Sequence, residues 1–175
     1  MPIFASELDT SFDAFEKECQ AFSIQSEHSH QTRPARITIN APPKQVMNAW
    51  FDCIWMRGGG MGQPTELRKA LKPNGEGHIR TPGYGLFELM LRVDEDNPSH
   101  LMIHYTIARG LPLSSHYGTV YFEPADENGS TCSISWIVRY TPKWYGYWFG
   151  AYCEKLLFPF FLRNLKADVE HNVKQ

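Results

Sequence analysis

Four side chains of this sequence have the chemistry for acid–base work inside a folded domain: Arg80, Glu88, His104 and Tyr105. Arg80 and Glu88 lie on neighbouring predicted strands joined by a short turn, so their side chains can meet across the ladder. Inside a cavity such a pair would orient a polar ligand group or tune a general acid or base. The alternative is a cross-strand ion pair on the solvent face, worth less than about 1 kcal/mol.

Metal and cofactor chemistry finds little support in the remaining residues. His78, His104 and His116 all lie on predicted strands, but a three-histidine site needs them on one face with converging ring nitrogens, and their positions do not indicate this. The sequence contains no Gly-x-Ser-x-Gly turn that would present a nucleophilic serine. We therefore expect no metal, no cofactor and reduced, mostly buried thiols at Cys19, Cys53, Cys132 and Cys153.

Length and composition limit the classes of function. The 175 residues fit one domain, and the net charge of −2 without a Lys/Arg block argues against nucleic-acid binding. Five Trp, eight Tyr and eleven Phe favour an aromatic core or cavity. The N-terminus has neither a basic region nor an apolar run typical of a secretory signal, so we expect a cytoplasmic protein.

The hydrophobic pattern predicts one strand, a helical insertion, and six further strands. Residues 36–40 alternate and are β-branched, and Pro42 and Pro43 then suit the start of a short helix that reaches about residue 51. Short connections rich in Gly, Pro, Asn and Asp imply antiparallel neighbours. The six later strands are predicted at 65–72, 77–81, 86–93, 100–108, 115–123 and 131–140.

Residues 144–162 form a long apolar and aromatic segment. The adjacent charges Glu154 and Lys155 lie near its middle, and each would cost about 3 kcal/mol at the centre of a bilayer. The segment is therefore predicted to be a C-terminal helix that covers the sheet, bent at Pro159, and not a membrane span. A contact between its aromatic start and a membrane surface stays open.

The first 34 residues form a separate segment in this interpretation. Residues 6–22 carry an apolar stripe at helical spacing, and residues 23–34 are polar and resemble a linker. The stripe predicts a helix that packs on its own domain or, alternatively, forms a homodimer contact. It consists of Leu8, Phe12, Phe15, Cys19 and Phe22.

Several short motifs, in this order, resemble one known superfamily. Residues 37–46 resemble its first strand and the Ala-Pro that opens its first helix, and Gly77 to Arg80 resembles its glycine-x-x-arginine strand. Glu88 with Asp94 resembles its glutamate-bearing strand, and residues 136–142 resemble its last strand. The chain is thus similar, over residues 35–172, to the SRPBCC superfamily, and most similar to its bacterial polyketide cyclase/dehydrase and lipid-transport branch.

The resemblance implies an α+β helix-grip fold, as in START lipid-transfer domains and the birch-pollen allergen. A curved sheet of seven antiparallel strands would wrap on the long C-terminal helix, with two short helices after the first strand. Residues 35–175 would form a single START-like domain. Such domains hold lipids, sterols, quinones or polyketides in a cavity between the sheet and the C-terminal helix.

Strand alternation and helical spacing then predict which side chains face that cavity. For residues 115–123 two assignments remain open, because either Tyr117 and Tyr121 or Val120 and Phe122 can face inward. The predicted ligand-binding residues are Ile103, Tyr105, Ile107, Tyr117, Tyr121, Ile134, Trp136, Val138, Tyr140, Trp148, Tyr152 and Leu156.

Two functions follow as hypotheses. The first is non-catalytic binding or transport of a hydrophobic small molecule, because no catalytic constellation is evident. The second is a polyketide cyclase or dehydratase-type enzyme in which Arg80, Glu88, His104 or Tyr105 moves protons. The enzyme hypothesis requires at least two of these groups in one cavity, within reach of a ligand.

Overall fold

The computed structural model describes residues 28–172, together with the single positions 14 and 17. The predicted N-terminal stripe therefore lies outside the described residues, and its packing and dimer alternatives stay predictions. Among the described residues, no helix combines the length and apolar character needed to cross a bilayer.

The centre of the molecule is one antiparallel sheet. Within residues 28–172 it contains one strand more than the seven predicted, because His30–Gln31 pairs with the end of the last strand at Tyr140 and Arg139. The strands are β1 His30–Gln31, β2 Ala35–Ile39, β3 Thr65–Arg68, β4 Ile79–Gly83, β5 Leu86–Asp94, β6 Leu101–Arg109, β7 Leu113–Pro124 and β8 Cys132–Pro142.

The strand order is β1-β8-β7-β6-β5-β4-β3, and β2 also pairs with β8. Sequential antiparallel pairing from β3 to β8 is what the short connections predicted. Irregular register interrupts four of these pairings, between β3 and β4, β4 and β5, β5 and β6, and β7 and β8. Such bulges bend strands, which lets a sheet curve around a helix.

The helical insertion packs on one face of this sheet. Helix α1 spans Pro43–Trp50 and continues through wide π-helical turns over Phe51–Met56. Its buried side includes Val46, Met47 and Trp50, and Trp55 follows in the wide turns. The wide turns change the spacing of the buried residues, so both large indoles face the interior of the domain.

The C-terminal helix covers the same face. It is built from α2 at Phe149–Tyr152, a π-helical stretch at Cys153–Leu157, and α3 at Phe158–Asn172. Pro159 was predicted to bend the helix, and the wide turns come immediately before it. Proline lacks the backbone donor that a regular turn needs there. The buried residues of α3 include Phe158, Leu162, Leu165 and Val169.

Residues 144–148 are not helical, in contrast to the predicted long segment. They form turns in which the backbone N–H of Gly146 donates to the oxygen of Lys143, and that of Lys143 donates to the oxygen of Pro112. The helix begins only at Phe149. As a result Trp144, Tyr145, Tyr147 and Trp148 remain half or more exposed.

The run of three glycines at Gly58–Gly60 is a point of close contact between the insertion and α3. A side chain at Gly59, whose φ is +60°, would lie 2.4 Å from the ring of Phe161. The amide of Asn164 also donates to the Gly59 oxygen at 2.7 Å. Glycine is needed here because the C-terminal helix approaches the backbone directly.

Candidate functional site

A cavity of about 190 Å³ lies between the sheet, α1 with its wide turns, and the start of the C-terminal helix. Its walls are mainly aromatic, because four sequence-distant elements (α1 with its wide turns, β6, β8 and α3) each place large rings there. The principal rings are Trp50, Trp55, Tyr105, Trp136, Phe158 and Phe161.

These rings contact one another in a continuous arrangement. Trp50 lies 5.6 Å from Trp136 and 6.2 Å from Tyr105, measured between ring centroids. Trp136 stacks on Phe158 at 4.9 Å and on Phe161 at 5.9 Å. Edge-to-face and stacked contacts of this kind stabilise a rigid wall.

Gly118 of β7 makes room for the central ring of that wall. A Cβ atom at Gly118 would lie 2.3 Å from the ring of Tyr105, which comes from the neighbouring strand β6. A glycine inside a strand weakens the strand, so its presence marks a close approach of another group. Here that group is the Tyr105 ring.

Arg80 and Glu88 form a buried ion pair at one side of the cavity. They are directly opposite one another on β4 and β5, and the side chain of each is only 9 % exposed. Arg80 Nε donates to Glu88 Oε2, and its second nitrogen donates to the backbone oxygens of Ile54 and Trp55. The guanidinium also lies 4.0 Å above the Trp55 ring.

This placement distinguishes the two alternatives for the pair. The pair is inside the domain and lines the cavity, so the solvent-face alternative is wrong. The charges are engaged with each other and with backbone oxygens at the end of α1. Because one member compensates the other, the pair adds no net charge to the cavity.

Tyr105 lies between several of the cavity rings. The indole N–H of Trp136 donates to its hydroxyl oxygen at 2.9 Å. Burial raises the pKa of Tyr105 well above its usual value, so the phenol keeps its proton at neutral pH. The hydroxyl thus accepts one hydrogen bond and retains a hydrogen that it can donate.

His116 is a cavity residue that the sequence analysis did not assign. Its Nδ1 accepts a hydrogen bond from the backbone N–H of Ile107 at 3.2 Å. Burial, followed by the nearby His28, lowers the pKa of His116 to about 3. The ring is therefore neutral, and because Nδ1 is the acceptor, the proton is on Nε2.

His104 faces the opposite side of the sheet, so its predicted catalytic position is wrong. Its Nδ1 pairs with the hydroxyl of Thr119 at 3.1 Å, and its ring stacks on Tyr117 at 5.2 Å. Tyr121 lies on this outer side as well, 5.4 Å from His100. For β7 the second alternative is correct, because Val120 and Phe122 are fully buried.

Of the predicted ligand-binding residues, six line the cavity. The other six have different positions: Tyr117 and Tyr121 face the outer side of the sheet, Ile103 lies beside a separate depression next to α1, Ile134 and Tyr140 are buried in the core, and Leu156 is 61 % exposed. Tyr140 is covered because Phe149 and Gly150 pack directly on it. The six lining residues are Tyr105, Ile107, Trp136, Val138, Trp148 and Tyr152.

The outer end of the cavity reaches exposed side chains. Met61, Tyr84, Trp148 and Tyr152 line it and are between 39 % and 99 % exposed. We call these four residues the mouth. Trp144, Tyr145 and Tyr147 continue the exposed aromatic surface from the mouth along the turns before α2.

The histidines do not come together as a metal site. His78 accepts from the Trp55 indole N–H at 2.8 Å and pairs with Glu66 at 2.8 Å, whereas His104 pairs with Thr119. Within the described part of the chain, no group of three or more His, Cys, Asp or Glu side chains is placed to hold a metal ion.

Comparisons with known proteins support the fold through structure and not through sequence. No family model and no curated protein sequence matches the chain. A protein from Nitrosospira multiformis has a similar structure, with a TM-score of 0.59 and 14% identity over 83% of this chain and 100% of that one.

Two further solved structures have the same architecture. Norcoclaurine synthase from Thalictrum flavum, in complex with dopamine and hydroxybenzaldehyde, has a TM-score of 0.55 and 11% identity, covering 82% of this chain and 89% of that one. Ara h 8.0201 has a TM-score of 0.57 and 14% identity, covering 81% and 98%. The chain therefore has the α+β helix-grip fold that these solved structures share, a fold that occurs in an enzyme, norcoclaurine synthase, and in Ara h 8.0201.

Proposed function

We propose that this protein binds a hydrophobic small molecule in the aromatic cavity between its sheet and its C-terminal helix. The observation that carries the proposal is the cavity itself. Aromatic side chains from α1, β6, β8 and α3 surround an open space of about 190 Å³. Protein interiors are normally close-packed, so a space of this size among large side chains is typical of a ligand site.

The volume limits what the cavity can enclose. An engineered cavity of about 150 Å³ is known to hold benzene. A space of about 190 Å³ therefore accommodates one or two fused rings, or a short chain. A lipid, sterol, quinone or polyketide-like ligand would place one end inside and extend the rest through the mouth at Tyr84 and Trp148.

The alternative, a cyclase or dehydratase-type enzyme, needs two groups free to exchange protons with a ligand. Arg80 and Glu88 line the cavity but hydrogen-bond each other, and His104 is on the outer face. Tyr105 retains its proton and lies beside neutral His116 at 5.6 Å between ring centroids. This inventory supports binding more than catalysis.

A matched pair of variants on β8 tests the proposal. Val138 lines the cavity, and Ile137 points to the opposite face of the same strand. Val138→Phe should fill the cavity and abolish binding of N-phenyl-1-naphthylamine, a neutral apolar dye whose fluorescence rises in dry environments. Ile137→Phe should bind the dye as the native protein does.

Two outcomes would overturn the proposal. One is native protein that takes up neither the dye nor any apolar molecule from a cell extract. The other is dye binding that Val138→Phe and Ile137→Phe change equally, because the dye would then occupy some other site.

We also propose that the exposed aromatic surface beside the mouth contacts a membrane. Trp144, Tyr145 and Tyr147 are amphipathic rings of the kind that lie at membrane interfaces, and Lys143, which precedes them in the chain, is exposed. A ligand could then pass between bilayer and cavity without crossing water. The cytoplasmic location stays a prediction.

A further inference from the structure

The polar groups of the cavity are mostly hydrogen-bond donors. Trp50 is 1 % exposed and lines the cavity, and its indole N–H has no hydrogen-bond partner in the described structure. A buried donor without an acceptor is rare in folded proteins, because it loses the hydrogen bond that it makes with water in the unfolded chain. An acceptor supplied by a ligand would remove that cost.

His116 supplies a second donor. Its Nδ1 accepts the Ile107 N–H, which places the ring proton on Nε2. No acceptor for Nε2 is found among residues 28–172, and the residue lines the cavity. The imidazole is thus a neutral N–H donor at this site.

Tyr105 supplies the third donor. Its hydroxyl oxygen accepts from Trp136, and in the described part of the structure no acceptor for the hydroxyl hydrogen is found. The Tyr105 ring contacts the rings that carry the other two donors, 6.2 Å from Trp50 and 5.6 Å from His116 between centroids. The three donors therefore come from adjacent rings on one part of the wall.

Acceptors and net charge are scarce by comparison. The carboxylate of Glu88 and the backbone oxygens of Ile54 and Trp55 all accept from Arg80. Arg80 and Glu88 compensate each other, and His116 is neutral. A ligand anion would find no uncompensated cation. Among these groups in the described structure, Glu88 Oε1 is left as an acceptor, on a carboxylate whose charge Arg80 compensates.

We infer that the ligand is an uncharged apolar molecule carrying a carbonyl group, whose oxygen accepts hydrogen bonds from the Tyr105 hydroxyl and from one of the two flanking N–H groups, that of Trp50 or that of His116. This inference rests on the proposed binding function and specifies the chemical class of the ligand. A carbonyl oxygen has two lone pairs and no hydrogen, so it matches a wall on which donors without a partner predominate. A pure hydrocarbon would leave all three donors without partners.

Four probes with one skeleton separate these possibilities: 2-acetonaphthone, 1-(2-naphthyl)ethanol, 2-ethylnaphthalene and 2-naphthoate. Their affinities can be measured by quenching of tryptophan fluorescence, since Trp50, Trp55 and Trp136 line the cavity. The ketone should bind most tightly. Its advantage over 2-ethylnaphthalene should be about two- to tenfold for each hydrogen bond formed.

Tyr105→Phe keeps the ring and removes the hydroxyl. It should weaken 2-acetonaphthone by about two- to tenfold and leave 2-ethylnaphthalene unchanged. Tyr121→Phe is the matched control on the outer face of the sheet and should change neither. Tyr105→Phe also removes the acceptor of the Trp136 indole N–H, which could change the cavity wall itself. A second measurement therefore uses the native protein.

That measurement is the infrared C=O stretch of ¹³C-carbonyl 2-acetonaphthone bound to the native protein. Hydrogen bonding should shift the band to lower wavenumber than in hexane. A band at the hexane position, or a hydrocarbon that binds as tightly as the ketone, overturns the inference and leaves apolar binding intact. Tightest binding of naphthoate overturns the charge argument, and failure of all four probes overturns the proposed function itself.

Discussion

Glu88 is the anionic partner of a buried guanidinium, so replacing it with Gln should destabilise the domain strongly. The change leaves Arg80, whose side chain is 9 % exposed, charged and without its counter-ion. Breaking a buried pair by removing one partner costs about 3–5 kcal/mol. Since 1 kcal/mol shifts the Tm of a domain of this size by about 2–4 °C, we expect Glu88→Gln to lower the Tm by roughly 6–20 °C.

Arg80→Met should be at least as harmful. Arg80 also donates to the backbone oxygens of Ile54 and Trp55, and the substitution removes these hydrogen bonds and leaves Glu88 buried without its counter-ion. The double variant Arg80→Met/Glu88→Leu removes both charges and should recover part of the loss, because an apolar pair replaces the buried ion pair.

The assay is urea denaturation of the single and double variants as a double-mutant cycle. The pair Arg92 and Asp94 on β5 is the control, since Arg92 is 64 % exposed and its removal should cost less than about 1 kcal/mol. If Glu88→Gln costs no more than the control, Arg80 and Glu88 do not form a desolvated pair, and the neutral, donor-rich cavity derived from that pairing is refuted.

Three further predictions follow from individual side chains. Gly118→Ala should destabilise the protein by about 1–3 kcal/mol in urea denaturation, because the new Cβ meets the Tyr105 ring; an unchanged stability would show that this close approach does not exist. His116 has a pKa of about 3 in the folded protein against about 6.5 when unfolded, so the unfolded chain binds the proton first and stability should fall as the pH drops from about 6.5 to 3. His116→Gln should lose most of that pH dependence in thermal melts, and a native-like dependence in this variant would contradict the assignment. Replacing Trp144 and Trp148 with Ser should reduce co-sedimentation with phosphatidylcholine/phosphatidylserine vesicles, whereas Tyr121→Phe should not; equal binding by all would remove the membrane contact.

The fold could be predicted from local patterns and their order. In β8 the residues from Cys132 to Tyr140 alternate as buried and partly exposed, as the sequence pattern predicted. The positions of turn residues showed how many connections join the strands and that these connections are short. Short connections implied antiparallel pairing. The strand at His30–Gln31 was missed because two residues are too few to show an alternating pattern.

The cavity was harder to derive, because its orientation depends on contacts that are distant in sequence. Both faces of β7 carry large side chains, so alternation could not decide whether Tyr117 or Val120 faces inward. The inward face of β7 is determined by the element that packs on it. That element is α1, and the face it covers is the buried one. The glycine at position 118, inside β7, could have indicated that an aromatic ring packs closely against this strand.

His116 and Trp50 were missed for a related reason. Their role depends on N–H groups that have no acceptor. A missing acceptor can be recognised only when the three-dimensional positions of the neighbouring atoms are known. The Trp55 position follows from the wide turns after α1, which shift it away from the regular helical spacing. Leu156 was assigned inward on a regular helix, and the wide turns at Cys153–Leu157 leave it exposed.

The exposed aromatic residues before α2 are also a consequence of backbone geometry. The hydrophobicity of residues 144–148 predicted that they begin the C-terminal helix, and left open which of their rings face inward. Gly146 instead allows the chain to turn tightly against the backbone of Pro112, where a Cβ atom would lie 2.1 Å from the Pro112 oxygen. The turn leaves Trp144 and Tyr147 outside the core and next to the mouth.

The most direct test of the central claim is native mass spectrometry of the protein after incubation with an extract of its own host cells. The native chain and Ile137→Phe should each carry an apolar adduct that organic extraction releases, and Val138→Phe should have the mass of the bare chain. An adduct that persists in Val138→Phe, or a native chain that stays bare, would contradict a ligand-binding cavity at this position.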